Sequence, residues 1–305
     1  MRIALLLVLA LVGASWRAFS AAPLPAPPPF AGELPPASPP ADMAVFQLPT
    51  GITHRSAGFG YRGGSFRDKR DFVMTATLVK HPKGDLLIDT GFGRDIEAHV
   101  AAMPFFFRMT TGYERFRSAA EQLDAAGYDR ARLRAVILTH AHWDHVSGLP
   151  DLAGTPVLVN ATERTFISDG GWITAVARSC PGVRYEEYAF DGGPYLGFAK
   201  SHDVYGDGSV VLVPAPGHTP GSIVVFLTLP GGTRYALLGD LVWQREGILE
   251  REERSWLFRT LADSNPAEVR DNILKVAAIA ARFPEIVLVP AHDGRGFATI
   301  PTLVN

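Results

Sequence analysis

Between positions 139 and 145 the chain reads Thr139-His140-Ala141-His142-Trp143-Asp144-His145, directly after a β-rich run at 135–138. No other stretch restricts the fold as strongly. Four side chains able to ligate a metal fall within six residues at the end of a strand. In an extended stretch, residues two apart point the same way, so His140 and His142 grip one ion. A turn after them then aims Asp144 and His145 at a second. Imidazole and carboxylate are common zinc ligands at roughly 2.0–2.2 Å. One histidine in such a place would read as a surface residue; this cluster does not.

Composition closes off other classes. The 29 basic and 31 acidic side chains nearly cancel, so no global positive field exists to hold a nucleic acid. The single cysteine, Cys180, excludes an intramolecular disulfide and a cysteine-rich zinc site. Any metal centre therefore has to be built from histidine and aspartate. The 24 prolines and 30 glycines favour a loop-rich α/β domain over a helical bundle.

The N-terminus reads as an address. Met1-Arg2 precedes an apolar run at 3–14, too short for a bilayer, which needs roughly 20 residues. Small residues near Ala18 and Ser20 complete the pattern of a signal peptide over 1–20, cleaved after Ser20. This predicts a periplasmic or secreted protein with no stable membrane insertion after cleavage. Residues 21–42 hold nine prolines and little core material, so they are expected to be an extended linker outside the fold. The working domain is then 43–305.

Within it, runs at 75–80 and 85–89 flank His81-Pro82-Lys83-Gly84 and predict a hairpin. Residues 115–126 read as a helix stopped by Gly127, and 266–282 as a second helix with Val269, Ile273 and Val276 inward. Strands are expected at 135–138, 156–159, 210–214, 222–229, 235–238 and 286–289. Strands followed by a helix occur before 155 and again after 205, which predicts two similar halves in a layered α/β sandwich.

His-x-His-x-Asp-His at 140–145 is the signature of the metallo-β-lactamase fold superfamily, and the rest of the chain is similar to that family in order and spacing. Leu87-Ile88-Asp89-Thr90-Gly91 resembles its early Asp-Thr-Gly turn, and Pro216-Gly217-His218-Thr219-Pro220-Gly221-Ser222 its third-histidine motif. Leu238-Gly239-Asp240 resembles its bridging-aspartate motif, and Pro290-Ala291-His292-Asp293 its last-histidine motif. Together these motifs cover about residues 70 to 295. The resemblance implies an αβ/βα four-layer sandwich with metals at the sheet edge. It implies that His140, His142 and His218 hold one ion, that Asp144, His145 and His292 hold a second, and that Asp240 bridges them. Asp89 would orient a ligand or the backbone near the site, or serve only the turn. The other histidines, His54, His81, His99 and His202, are expected in loops or at the surface.

Two divalent ions, most simply Zn2+ but also manganese, iron or cobalt, bring four positive charges. Asp144, Asp240 and a bridging hydroxide leave about +1, and metal binding lowers the pKa of water to roughly 7. The implied activity is a metal-dependent hydrolase on a small molecule, with Asp144 and Asp240 as its catalytic carboxylates. Among relatives with this ligand set, the sequence looks closest to quorum-quenching lactonases, including those acting on acyl-homoserine lactones. Organophosphate hydrolases of the methyl-parathion-hydrolase type are the alternative. Acyl-homoserine lactonases typically carry tyrosine three residues after the bridging aspartate; this chain has Trp243. A mononuclear iron persulfide dioxygenase and a non-catalytic metal-binding protein are readings of another class, separated from the hydrolase by metal content and oxygen uptake. The run Met103-Pro104-Phe105-Phe106-Phe107 is expected to overhang the metals and, with Trp243, to line an apolar pocket; a core helix face or a homodimer contact are the alternatives. The long insertion at 166–205 is expected to form a lid or a second pocket wall.

Overall fold

The computed structural model describes residues 17–303. The apolar run at 3–14, on which the signal-peptide reading rests, lies outside the described residues. Two sheets form the body. The first has the order β4-β1-β2-β3-β5-β6-β7, with β1 (Ala44–Ser56), β2 (Lys69–Lys80), β3 (Asp85–Ile88), β4 (Glu114–Arg115), β5 (Leu133–Ile137), β6 (Pro156–Asn160) and β7 (Arg184–Tyr188). The second has the order β12-β11-β10-β9-β8, with β8 (His202–Asp203), β9 (Val210–Pro214), β10 (Ile223–Thr228), β11 (Arg234–Gly239) and β12 (Ile286–Pro290). β3, β5, β6 and β7 run parallel, as do β11 and β12; the other pairs are antiparallel.

Alternation along the strands explains the layers. Leu86 and Ile88 of β3 face inward with Ile137, while Leu87 faces outward to the helices of its own half. In the second sheet Val210 and Leu212 of β9 and Ile223 and Val225 of β10 join the inner cluster. Their neighbours Val211, Val213, Val224 and Phe226 meet Val269, Ile273, Val276 and Ile279 of the helix Pro266–Arg282. Strands apolar on both faces must be covered on both faces, and the result is helix, sheet, sheet, helix.

The hairpin and the helix Pro266–Arg282 stand as the sequence predicts. The helix expected at 115–126 starts later. Ser118 and Glu121 form a capping box at its start, Glu114 and Arg115 pair with β1 instead, and the helix runs Ala119–Ala125. Gly127 follows it at φ 62°, the left-handed conformation of a helix stop. β1 was not legible, because Pro49 and Gly51 interrupt its pattern; a shift of register between them absorbs the break.

The proline-rich segment is not a free linker. Leu24, Phe30 and Leu34 pack against the outer cluster of the second half. Leu24 exchanges hydrogen bonds with Arg251, both through its N–H (2.9 Å) and through its carbonyl (3.0 Å). Arg234 donates to the Pro35 carbonyl at 2.9 Å, and Ser38 N–H to Asp207 at 2.7 Å. Proline-rich chain has no internal hydrogen bonds and little entropy left to lose. Apolar residues spaced between prolines therefore suffice to lay it on the body as a strap. Residues 17–20 are also docked: Phe19 packs edge-on against Phe66, and Arg62 donates to the Ser20 carbonyl at 3.0 Å. Among the described residues no helix is long and apolar enough to cross a membrane.

Candidate metal centre

The sequence motifs sit where strands end. His140 and His142 follow β5, and Asp144 and His145 lie on the short helix Trp143–Val146 after them. His218 follows β9, Asp240 follows β11 and His292 follows β12. Two backbone features make these turns. Gly217 at φ 130° presents His218, and a side chain there would meet the Val269 nitrogen at 2.5 Å. Gly239 at φ 52° presents Asp240 with Thr139 packed against it.

The seven residues converge. His140, His142 and His218 form one trio of ligand atoms, His140, His145 and Asp240 a second, and Asp144, His145 and His292 a third; within each, the atoms lie within 4.8 Å of one another. Asp240 stands between the ends. Its Oδ2 lies 3.4 Å from His218 Nε2, and its Oδ1 lies 3.4 Å from His145 Nε2 and 3.1 Å from His292 Nε2. His292 Nε2 is 3.4 Å from Asp144 Oδ2. All seven are nearly excluded from water.

The far nitrogen of four rings is already committed. Thr139 Oγ1 lies 3.2 Å from His140 Nδ1. Asp89 accepts from His145 Nδ1 at 2.8 Å, Asp263 from His218 Nδ1 at 2.9 Å, and the Val73 carbonyl from His292 Nδ1 at 3.0 Å. Asp89 thus orients a ligand, and its second contact is the Thr139 N–H at 2.7 Å, ahead of the motif. It does so from a left-handed backbone, φ 54°, unusual for a residue other than glycine.

What remains is a set of unanswered donor atoms. His140, His142, His145 and His218 Nε2 and Asp240 Oδ1 are buried with no hydrogen-bond partner among the described residues. Such atoms cost free energy unless something satisfies them. Burial, helped by the neighbouring imidazoles, pushes His140 and His142 well below the ordinary histidine range, leaving neutral lone pairs. Burial opposes charge at His145 too, but Asp89, Asp240 and Asp144 outweigh it and raise that ring. At Asp240 burial favours the acid, yet His292 and His145 hold the carboxyl far below its usual range. Orphaned imidazole nitrogens, two of them held neutral, around an ionised carboxylate whose charge a cation would share are the donor set of a divalent cation site; the residues fit the group that the fold implies.

Sequence reasoning missed Glu163. It is 2% exposed. It accepts from Ala141 N–H at 2.7 Å, Thr219 Oγ1 at 2.7 Å and Gly221 N–H at 3.0 Å, tying the 140–145 motif to the loop of His218. In sequence it looks like any first-turn glutamate of the helix Ala161–Asp169. Asp263 was missed for the same reason.

Other expectations need correction. Phe105 and Phe106 are each 69% exposed on the short helix Phe105–Thr110, away from the core on which an overhanging wall would rest. Phe107 alone turns in, against Trp143 and Trp172. Trp243 donates its indole N–H to Asp240 Oδ2 at 2.8 Å and so holds a ligand. His81 lies in the loop between β2 and β3, as expected, but is buried there, stacked on Tyr205 with ring centroids 3.6 Å apart, while His99 lies on the helix Ile96–Ala101. His54 is exposed beside Asp71, His99 bonds Ser147, and His202 bonds Asp191.

Comparison with known proteins agrees with the geometry. A probable metallo-hydrolase of Mycobacterium tuberculosis is 30% identical over 236 residues, 71% of this chain and 73% of that protein. An N-acyl homoserine lactonase of Rhizobium johnstonii is 23% identical over 73% of this chain and 82% of its own. The solved structure of an N-acyl homoserine lactone hydrolase, with N-hexanoyl-L-homoserine at its catalytic metal centre, superposes with a TM-score of 0.64 at 17% identity, covering 85% of this chain and 96% of that one. The family model of the metallo-beta-lactamase superfamily matches residues 71–292, from β2 to the last histidine, and the chain belongs to that superfamily as a metal-dependent hydrolase.

Proposed function

We propose that this metallo-hydrolase works with two divalent ions, zinc in the first instance, and cleaves small ester-type substrates, lactones foremost and acyl-homoserine lactones among them. The observation that carries the reading is the placement of Asp240, with one carboxylate oxygen toward His218, the other toward His145, and His292 close to both. In this reading His140, His142 and His218 hold one ion, Asp144, His145 and His292 the other, and Asp240 spans both. The bound pair supplies a hydroxide nucleophile at neutral pH and polarises the scissile carbonyl. The chain's residues do the rest. Asp89, Asp263 and the Val73 carbonyl keep the imidazoles aimed. Asp144, the most exposed carboxylate of the set, would take the proton that the nucleophile loses on attack and pass it to the departing ring oxygen. Lactonase relatives support the substrate class.

A phosphotriester is the second reading. It is favoured by Trp243, whose N–H is spent on Asp240 where acyl-homoserine lactonases typically offer a tyrosine. We further propose export to the periplasm or beyond, on the strength of the N-terminal run at 3–14.

The test is metal analysis of the purified protein with a panel of lactone, phosphotriester, penicillin and thioester substrates. Two metals per chain and chelator-sensitive lactone cleavage bear the proposal out. Phosphotriester turnover without lactone turnover replaces it with the second reading. One iron with oxygen uptake overturns both.

A further inference from the structure

Arg254 is 4% exposed and lies directly behind the centre, between the helices Glu246–Leu249 and Trp256–Ala262. Its guanidinium reaches in two directions. Nη1 donates to the Asp240 carbonyl at 2.8 Å. Nη2 donates to Asp263 Oδ1, the same oxygen that receives the His218 Nδ1 proton at 2.9 Å, and lies 3.3 Å from that Nδ1 itself. Its flat face lies 4.9 Å from the ring of Trp243, the residue that fixes Asp240 Oδ2. Arg254 therefore touches every group that aims His218 and Asp240, which arrive from different strands. At the other end His145 is held by Asp89 and His292 by the Val73 carbonyl, neither of which Arg254 touches; its link there is Trp243, whose ring meets that of His292 edge-on at 6.4 Å.

We infer that Arg254 is a positioning residue chiefly for one of the two ions, the ion held by His140, His142 and His218, because Asp240 is the only ligand through which it reaches both. The inference rests on the dinuclear reading. A bare guanidinium beside a cation site would repel the cation. The buried Asp263 carboxylate cancels that charge, so Arg254 contributes geometry and not field. The planar fork is what the task requires, because one ammonium cannot hold a carbonyl and a carboxylate along two fixed directions while lying flat on an indole.

The test is zinc content and zinc affinity of the whole chain, by competition with a chromophoric chelator. It uses the wild type, Arg254→Met, Arg254→Lys and Trp243→Phe, with Asp89→Asn as the counterpart at the other end. Arg254→Met should bind the ion of His140, His142 and His218 about 10- to 100-fold more weakly, the usual cost of losing an outer partner, and the other ion with a clearly smaller loss. Trp243→Phe should do the same more mildly, and Asp89→Asn should weaken the opposite ion. Equal weakening of both ions in Arg254→Met and Arg254→Lys would make the residue merely structural and overturn the inference, as would two ions at unchanged affinity. Should Arg254→Met fail to fold, Arg254→Lys and Trp243→Phe decide by the same criterion. A wild type that binds a single ion would instead sink the dinuclear reading itself, before any variant is considered.

Discussion

His292 and Asp293 are consecutive, yet they face opposite kinds of polar cluster. His292 looks into the metal centre, where five buried donor atoms have no partner among the described residues. Asp293 looks the other way, into a closed network. Arg295 donates to Asp293 at 2.6 and 2.8 Å and to Glu246 at 2.7 and 2.8 Å, and Arg70 reaches Glu246 at 2.9 Å. Gln244 bonds the His292 carbonyl at 2.7 Å and joins the two clusters. Both are dense in charge and set close together. One has satisfied itself with protein groups, and the other has been kept from doing so by the orientation of its rings. The first kind of cluster serves stability and the second serves a ligand.

The largest effect that can break this contrast is at Asp240. Asp240→Ala should lower kcat/KM for any active substrate by a factor on the order of 10³ or more, as for members of a catalytic unit. Its metal-free thermal midpoint should fall only modestly, because the burial cost of the carboxylate offsets most of what Trp243, His145 and His292 give it. A large fall in the metal-free midpoint would mean that the centre is structural. Next comes metal removal: exhaustive chelation should abolish turnover and lower the melting temperature, and zinc should restore both, since the ion binds only the folded chain. Asp89→Ala should cost about 10- to 100-fold in metal affinity, read by competition titration, with little change in fold.

The smallest effect belongs to the closed network. Burial alone would raise the Glu246 carboxyl, but hydrogen bonds from Arg295 and Arg70 hold it down at about 2, against an ordinary 4.5. A depressed carboxyl stabilises the fold fully above pH 4.5, and that stability is lost as pH falls toward 2. Glu246→Gln should therefore cost on the order of 1–3 kcal/mol near pH 7. The gap to the wild type should close in denaturant melts as pH falls toward 2. Metal content should not change. If it does, the two clusters are one system.

The sequence announced the open cluster far better than the closed one. The cluster from His140 to His145 could be read from its spacing, whereas His218 and Asp240, each behind a glycine that turns the chain, and His292 came through the family resemblance. Their supports could not. Glu163 and Asp263 are ordinary acidic residues near helix starts, and only the packed fold shows which amides and imidazoles they meet. Asp89 lay between, flagged by its turn but not by its partner. The strands on the buried side of each sheet were legible from their apolar runs, whereas β1, broken by Pro49 and Gly51, was not. The proline-rich segment misled because composition reports what a chain cannot form by itself, not what it can lie upon.

The strap also says something about the order of assembly. Leu24 is bonded to Arg251 across 227 positions of chain, and Phe30 rests on Phe283. β1 in turn waits for the C-terminus, through Gln47 and the carbonyl of Pro301. The residues synthesised first thus find their places only after those synthesised last have arrived. Contacts that join such distant stretches of chain form late, so the strap is laid down on a body that has already folded.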